Sequence, residues 1–292
     1  MKRYLFMIAA AWLAMSASAE EKVIPPVIMQ DGIAYEQLMD SQTRTVTGLA
    51  VVGADDNVHL NSTEVTIPAH IPGYSVPVTR IDSSAFADCR ELKHVTIANT
   101  VVEIGQKAFS VCPKLTSITT ADPGSISDLT TIGPGAFGMD SSLTEINLLM
   151  TKVSLIGPLA FYQCTNLKRI VLSETPARIE EHAFQECPNI TDVISPCHNP
   201  GFLVEDAFDG PIYDQATLTV NPQDLDKYKD HANGAWYKFL KTVVTGVDDI
   251  EVAEGDAPVE YYTLTGMRVM TPQPGQLVVR RCGTTVTKEL IR

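Results

Sequence analysis

Residues 81–97 read IDSSAFADCRELKHVTI, and the same order of apolar residues returns five more times before residue 221. Each unit has an aliphatic residue, then Ala-Phe, then in four of the six units a Cys three residues further on, and then spaced aliphatic residues. Successive Phe residues of the pattern are 23, 28, 24, 23 and 24 residues apart. A period of this length is typical of proteins that are built from stacked structural repeats. The six Phe residues are Phe86, Phe109, Phe137, Phe161, Phe184 and Phe208.

The spacing inside a unit predicts its local structure. The alternating run VTI at residues 95–97 is typical of a short strand with one face directed inward. Residues 85–92 carry apolar side chains three apart, which predicts one or two helical turns behind that strand. A single unit of this size buries too little apolar surface to offset its own conformational entropy. We therefore expect a solenoid in which neighbouring units stack and the six Phe rings form one buried spine, with separate helical hairpins as the alternative.

The cysteines favour thiols over disulfides. Four of the six cysteines occupy the same position of the repeat, and equivalent side chains in stacked units point in the same direction. We expect them to line the core as small apolar residues. Two cysteines lie outside the repeat register: Cys197, for which a bridge to Cys187 is the alternative, and Cys282.

The net charge and the N-terminal residues limit the partners and the location that this protein can have. The 292-residue chain has 22 Lys and Arg against 35 Asp and Glu, a net charge of −13, so nucleic acid and anionic lipid are poor partners. Lys2 and Arg3 precede an apolar run at residues 4–15 and an A-x-A site at residues 17–19, which together predict a cleavable signal peptide. The run is too short to span a bilayer. We therefore expect a secreted or outer-surface protein whose mature chain begins at Glu20.

The repeated pattern resembles the BspA-like leucine-rich repeats of bacterial surface and secreted proteins. The resemblance implies an α/β, mainly β, leucine-rich-repeat solenoid with a β-rich N-terminal cap and a small C-terminal β domain. Asp140 in the Cys position of the third unit departs from the pattern, which puts the packing of that unit in question but not the fold. The aromatic residues Tyr228, Trp236 and Phe239 resemble the closing unit of such proteins and can seal the last coil.

The flanks complete the domain organisation. Residues 245–258 are acidic and poor in large apolar side chains, which predicts a linker. The alternating residues beyond them predict a small β unit, which resembles the C-terminal sorting domains of Bacteroidetes-type secretion or is a plain β appendage. The predicted divisions are a signal peptide at 1–19, an N-terminal β cap at 20–77, leucine-rich repeats with their C-terminal cap at 78–245, a linker at 246–258 and the tail at 259–292.

The sequence has no recognisable catalytic or metal motif. It contains no G-x-S-x-G, H-E-x-x-H, G-x-x-x-x-G-K or G-x-G-x-x-G pattern. Cys197-His198 has no partner at zinc spacing, and the acidic pairs lack the spacing of a calcium loop. We therefore expect a protein that is not an enzyme and that needs no cofactor or metal.

The strand geometry predicts where a partner binds. Positions between the inward aliphatic residues repeat from strand to strand about 5 Å apart and form a nearly flat surface. The residues predicted to face a ligand are Lys93, His94, Thr96, Ser117, Thr119, Glu145, Asn147, Lys168, Arg169 and Asp192, and Val171 and Ile194 are predicted to project from the same side. An ordinary solvated sheet face is the alternative.

The resemblance implies an adhesin-like protein that binds a protein on a host or neighbouring cell. A glycan-binding module of a polysaccharide-uptake system is a second hypothesis, although the predicted face has few aromatic residues on which sugars could stack. A hydrolase with an unrecognised site is a third.

Overall fold

The computed structural model describes residues 27–43, 45–122, 124–244, 259–262, 268–269, 277–282 and 285–290. The predicted signal peptide and the predicted linker lie outside the described residues. The described part of the chain is a mainly β leucine-rich-repeat solenoid with a β-rich N-terminal cap and a small C-terminal β sheet. The predicted fold class is confirmed.

The strands in chain order are β1 (Ile28–Gln30), β2 (Ile33–Met39), β3 (Val46–Ala54), β4 (Glu64–Ile67), β5 (Val78–Ile81), β6 (His94–Ile97), β7 (Glu103–Ile104), β8 (Ser117–Thr120), β9 (Thr131–Ile132), β10 (Glu145–Asn147), β11 (Leu155–Ile156), β12 (Arg169–Val171), β13 (Arg178–Ile179), β14 (Asp192–Ser195), β15 (Thr217–Val220), β16 (Lys241–Val244), β17 (Val259–Tyr262), β18 (Arg268–Val269), β19 (Leu277–Cys282) and β20 (Thr285–Leu290). The α-helices are α1 (Asp56–Asn61), α2 (Gly210–Gln215) and α3 (Leu225–Lys229). Short 3-10 helices span Pro222–Asp224, His231–Asn233 and Ala235–Lys238.

Each coil of the solenoid contributes strands to two different sides. On one side, the short-strand sheet has the order β1-β2-β3-β5-β7-β9-β11-β13, and its members from β3 onward are parallel. On the other side lie the two long-strand sheets, β4-β6-β8 and β10-β12-β14-β15-β16, which are also parallel. The alternating run that predicted one strand per unit is confirmed by the long strands, whereas the short strands were not predicted.

The predicted helical turns are wrong, because the segment around each Phe forms turns. The residue before Ala and the residue before Cys both have positive φ, for example Leu159 at 57° and Gln163 at 56°. Two such residues four apart interrupt any right-handed helix. The backbone bonds to the next coil instead, as where Phe161 N donates to Ala183 O at 2.8 Å. The three-residue apolar spacing therefore reflects inward-facing positions in a turn.

The six Phe rings form one continuous stack. The centroids of neighbouring rings are 4.8 to 5.4 Å apart and their planes lie within 10° of each other. All six side chains are buried. The predicted spine is confirmed, and it runs through every repeat including the one that contains Asp140.

Both ends of the repeat region are covered. At the N-terminal end, β1, β2 and β3 form an antiparallel extension of the short-strand sheet. At the C-terminal end, Phe239 and Tyr213 contact the last ring, Phe208, edge-on at 5.6 and 5.9 Å. Tyr228 and Trp236 are buried beside them. The predicted aromatic seal of the last coil is confirmed.

The tail contains a separate sheet. Strands β17 to β20 are antiparallel and have the order β18-β17-β19-β20. This agrees with the β unit that the period-two alternation predicts.

Candidate binding face

The ten residues of the predicted ligand-facing set lie along the long strands. We call this surface the ladder face: Lys93, His94, Thr96, Ser117, Thr119, Glu145, Asn147, Lys168, Arg169 and Asp192. Their neighbours Val95, Ile146, Ile170 and Val193 point into the core and are buried. The alternation of the strands therefore directs eight of these side chains away from the core, whereas Lys93 and Lys168 immediately precede β6 and β12. All ten residues are exposed or half-buried.

The ladder face is not one continuous sheet. Its N-terminal part lies on β6 and β8, and its C-terminal part lies on β10, β12 and β14, which belong to a different sheet. The interruption coincides with the 28-residue interval between Phe109 and Phe137. We predicted a single flat surface from the repeat register, and the structure divides it between two sheets.

Side chains of the ladder face bond to each other across neighbouring strands. His94 Nδ1 lies 2.7 Å from Ser117 Oγ, in the N-terminal part. Arg169 Nε lies 4.0 Å from Glu145 Oε1, and Asp192 is opposite Arg169 on the next strand. Positive and negative side chains thus alternate across the C-terminal part, which gives this part a mixed charge.

The two lysines of the ladder face differ from Arg169, which lies near Glu145. Lys93 immediately precedes β6, and Lys168 immediately precedes β12. Their backbone carbonyl groups accept hydrogen bonds from the backbone N–H groups of Thr116 and Thr191 in the next coil, each at 2.9 Å. Their side chains are exposed, and neither ammonium group has an ion-pair partner among the residues that the structure describes. They are therefore the cations of this face that are most available to an anionic group.

One of the two apolar positions differs from the prediction. Val171 and Ile194 were expected to project from the same side as the ladder face. Val171 is buried and Ile194 is half-buried. The outward side of β12 is therefore less accessible at Val171 than the alternation alone indicates.

The cysteines of the repeat are buried free thiols, as predicted. The thiols of Cys112, Cys164 and Cys187 donate to the Phe carbonyl groups of preceding coils, at 3.3, 3.1 and 3.1 Å. A hydrogen bond with Cys187, together with burial, raises the pKa of Cys164 well above its usual value. The repeat cysteines therefore serve packing.

Cys197 and His198 lie in the C-terminal cap but do not form a nucleophile–base pair. The Cys197 thiol is buried and free, and it donates to Asn199 O at 3.0 Å, so the alternative of a bridge to Cys187 is wrong. Burial raises the pKa of this thiol. His198 Nδ1 instead lies 2.8 Å from a carboxylate oxygen of Asp224. The structure does not describe the side chain of Cys282.

The sequence did not predict a cleft that lies at the C-terminal end of the repeat region. It has a volume of about 600 Å³ and is lined by Phe208, Tyr213, Tyr237, Leu240 and four charged residues, Glu205, Asp206, Asp214 and Lys238. Lys238 Nζ lies 3.1 Å from Glu205 and 5.5 Å from the centre of the Tyr213 ring. The sequence WYKF at 236–239 contains its exposed aromatic residue, but we interpreted that segment only as a seal of the core.

The described residues contain neither a metal cluster nor a membrane-spanning helix. No three His, Cys, Asp or Glu side chains within the described ranges are placed to hold a metal ion. Of the helices in those ranges, none could cross a bilayer.

Known proteins share the repeat pattern. Residues 60–191 match the model of the BspA type leucine rich repeat region, in six copies. No curated protein matches the chain.

Several solved structures are similar. A leucine-rich repeat protein of T. pallidum is 23% identical, with 58% of this chain and 83% of that chain covered and a TM-score of 0.42. A leucine-rich cell surface protein of Faecalibacterium prausnitzii is 15% identical, with 76% and 96% covered and a TM-score of 0.40. A leucine-rich repeat protein of Bacteroides capillosus is 22% identical, with 50% and 80% covered and a TM-score of 0.31.

Proposed function

We propose that this chain, which belongs to the BspA-type leucine-rich-repeat proteins, binds another protein through its ladder face at or outside the bacterial cell surface. The family suggests a role in protein interaction or at a surface, and repeats of this kind generally serve as binding modules rather than enzymes. The proposal goes further in assigning an adhesin-like role without catalysis and in naming the surface that carries it.

The observation that supports this proposal is the repetition of exposed polar side chains above a rigid core. The ring stack and the parallel strands hold the backbone of each coil in the same orientation as that of its neighbours. A surface that is already ordered loses little conformational entropy when a partner binds. The mixed charges of the ladder face favour recognition of a partner with its own pattern of charges over nonspecific adsorption.

The partner is expected to present carboxylates to the two lysines. Lys93 and Lys168 are exposed and immediately precede strands of different sheets, and Arg169 follows Lys168. A protein that contacts both parts of the face would pair acidic side chains with these three cations. The three cations therefore offer the most direct test.

The test is a binding array of extracellular-matrix proteins and glycans, read with the full chain and with a triple variant, Lys93→Gln, Lys168→Gln and Arg169→Gln. We expect the variant to lose affinity by on the order of tenfold or more for any protein bound by the wild type, because close interfacial charge pairs contribute on this scale. The loss should shrink for both proteins in high salt.

A matched control removes three cations elsewhere on the surface. Lys107→Gln, Lys152→Gln and Arg178→Gln lie outside the ladder face and remove the same charge. This control should bind as the wild type does. Equal binding by all three proteins would show that the ladder face is not the recognition surface.

A glycan-binding role is the second candidate, and the C-terminal cleft is the observation that favours it. Tyr237 is 37% exposed at the edge of the cleft, and His231 stacks on its ring at 3.8 Å. A fixed aromatic ring beside carboxylates is a common platform for a sugar ring. Retention on immobilised glycans but not on matrix proteins, with loss in Tyr237→Ala, would support this role.

Export and domain division belong to the same proposal. We expect the mature protein to begin at Glu20, with the tail at 259–292 acting as a sorting domain or an appendage. Mass spectrometry of the protein recovered outside the cells checks both ends. A retained N-terminal segment would contradict the cleaved signal peptide.

A further inference from the structure

The stacking of the coils is incomplete at one joint. The second coil ends its long strand at β8 and the third begins its long strand at β10, and these strands belong to different sheets. At the preceding joint, β6 and β8 pair over four residues. At the following joint, β10 and β12 pair over three. The joint between the second and third coils therefore lacks the long-strand ladder that its neighbours have.

The other sides of this joint are intact. In the short-strand sheet, Gly133 N donates to Ile104 O at 2.7 Å. On the turn side, Phe109 N donates to Ala136 O at 2.8 Å, and the rings of Phe109 and Phe137 stack at 5.4 Å. Opening on the long-strand side would break no strand pair, whereas opening on the other sides would break several hydrogen bonds.

Asp140 lies in this joint with half of its carboxyl group unsatisfied. It occupies the position that holds Cys in four other units, and it is fully buried. Its Oδ1 accepts from Cys112 N of the second coil at 2.8 Å. Its Oδ2 is buried and has no hydrogen-bond partner. The ionisable groups that face it are the thiols of Cys112 and Cys164, in the coils on either side.

Burial at this site favours the neutral form of the Asp140 carboxyl over the charged form. Burial raises the pKa of Asp140 well above its usual value, although the bond from Cys112 N favours the carboxylate. A buried carboxylate without a cationic partner has a high free energy. Water could reach Asp140 if the third coil moved away from Cys112 on the side that has no strand pairing.

We propose that this joint is a hinge, pivoting on the short-strand sheet, which opens between β8 and β10 when Asp140 loses its proton. Opening changes the relative orientation of the two long-strand sheets. Because those sheets carry the two parts of the ladder face, pH would alter the shape of that face. The hinge itself does not depend on whether the face binds a partner.

Hydrogen exchange of the full chain tests the hinge without a ligand. The amides to follow are Cys112, which crosses the joint, Gly133 at the pivot, and Gln163, which donates to Gln185 O at a joint with intact ladders. Wild type is compared with Asp140→Asn at each pH, so that the intrinsic pH dependence of exchange cancels in the ratio.

We expect the wild-type to variant ratio at Cys112 to be constant below about pH 4, near the pKa of a water-accessible Asp, to rise by up to tenfold per pH unit above it, and to level off above the raised pKa of the closed state. The ratios at Gly133 and Gln163 should stay constant. A pH-independent ratio at Cys112 would overturn the proposal. An equal rise at all three amides would also overturn it, because that result means global unfolding.

Two further variants keep the test decisive. Asp140→Cys restores the side chain of the other coils and serves as the reference if the Asn variant does not fold. Asp128→Asn removes an exposed carboxyl near the same joint, where Asp128 pairs with Lys152 at 2.7 Å. The Asp128 variant should keep the pH dependence of the wild type, and its loss there would assign the effect to surface charge.

Discussion

Asp140 and Asp224 are both buried aspartates, yet their surroundings give them opposite properties. Asp140 has one hydrogen bond from a backbone amide and one orphaned oxygen. Asp224 in the C-terminal cap lies 2.9 Å from Lys227 Nζ and 2.8 Å from His198 Nδ1. Burial opposes the ionisation of Asp224, but the bonds from Lys227 and His198 outweigh it and hold its pKa below the usual value.

The contrast shows that the partners of a buried carboxyl decide whether it stabilises the fold. The cap supplies two cationic or polar groups from α3 and the preceding loop, so the carboxylate ties these segments together. The repeat supplies only backbone and thiols, because the position is occupied by Cys in the neighbouring coils. A residue that departs from the repeat therefore inherits surroundings that suit a different side chain.

The largest expected effect tests whether Asp140, rather than the ring stack, distinguishes the joint between the second and third coils from the other joints. Phe137→Ala and Phe161→Ala each remove one ring of the spine and should each lower the free energy of unfolding by about 3–5 kcal/mol. The ring distances on either side of both residues are nearly equal, which is why we expect equal losses. Chemical denaturation measures both.

A much smaller loss for Phe137→Ala would mean that the ring stack is itself loose at the joint. In that case the comparison of the two aspartates would not explain the difference between these regions. Phe202→Ala, at a ring that is 43% exposed, is the control and should change stability far less.

The next largest effect comes from two substitutions that should change the free energy of unfolding in opposite directions. Asp140→Cys should raise the free energy of unfolding by about 1–3 kcal/mol at neutral pH, because it removes an unsatisfied buried oxygen. Asp224→Asn should lower it by about 1–3 kcal/mol, because it removes hydrogen bonds to a charged group. Denaturant midpoints measure both, and changes of the same sign would contradict the comparison.

The two aspartates also predict opposite pH dependences. The pKa of Asp140 is raised on folding, so its contribution is most favourable below about pH 4, near the pKa of an unfolded Asp, and is lost as the pH rises through its folded pKa. The pKa of Asp224 is lowered, so its contribution is present above about pH 4 and is lost as the pH falls through its folded pKa.

Difference curves separate these two contributions. The stability of Asp140→Asn relative to wild type should grow with rising pH, by at most about 1.4 kcal/mol per unit. The stability of wild type relative to Asp224→Asn should shrink as the pH falls below about 4. Flat difference curves for both would show that neither carboxyl changes its pKa on folding.

The smallest effect concerns an exposed pair. Lys152 and Asp128 lie 2.7 Å apart and both side chains are 53% exposed. Lys152→Met should change the free energy of unfolding by no more than about 1 kcal/mol, because solvent screens such pairs. If Lys152→Met lowered the free energy of unfolding as much as Asp224→Asn does, solvent exposure would not explain the difference between the surface pair and the buried pair.

The sequence predicted the repeat region because its signals are local and periodic. The Ala-Phe pattern identified the six rings, and the resemblance to a closing unit identified the aromatic seal at Trp236 and Phe239. The alternation of residues 95–97 identified the long strands and, through them, the exposed positions of the ladder face. Each of these inferences depends only on the side of the backbone from which a side chain projects.

The inferences that failed depend on contacts between coils. The turn around Phe161 has the apolar spacing of a helix, and only the positive φ values and the bonds to the next coil distinguish the two. Val171 alternates correctly along β12, yet it is buried. The absence of strand pairing between β8 and β10 accompanies the longer interval between two Phe residues, and residue types alone do not reveal it.

By itself, the sequence determined the number of coils, the side chains that fill their core and the single departure at Asp140, because burial in a repeat follows its period. The tertiary structure alone decided how the coils join, where the ladder face divides, and which of two buried carboxyls has a partner. Hydrogen bonds and charge pairs depend on distances between segments far apart in the chain, and no local pattern of residues sets those distances.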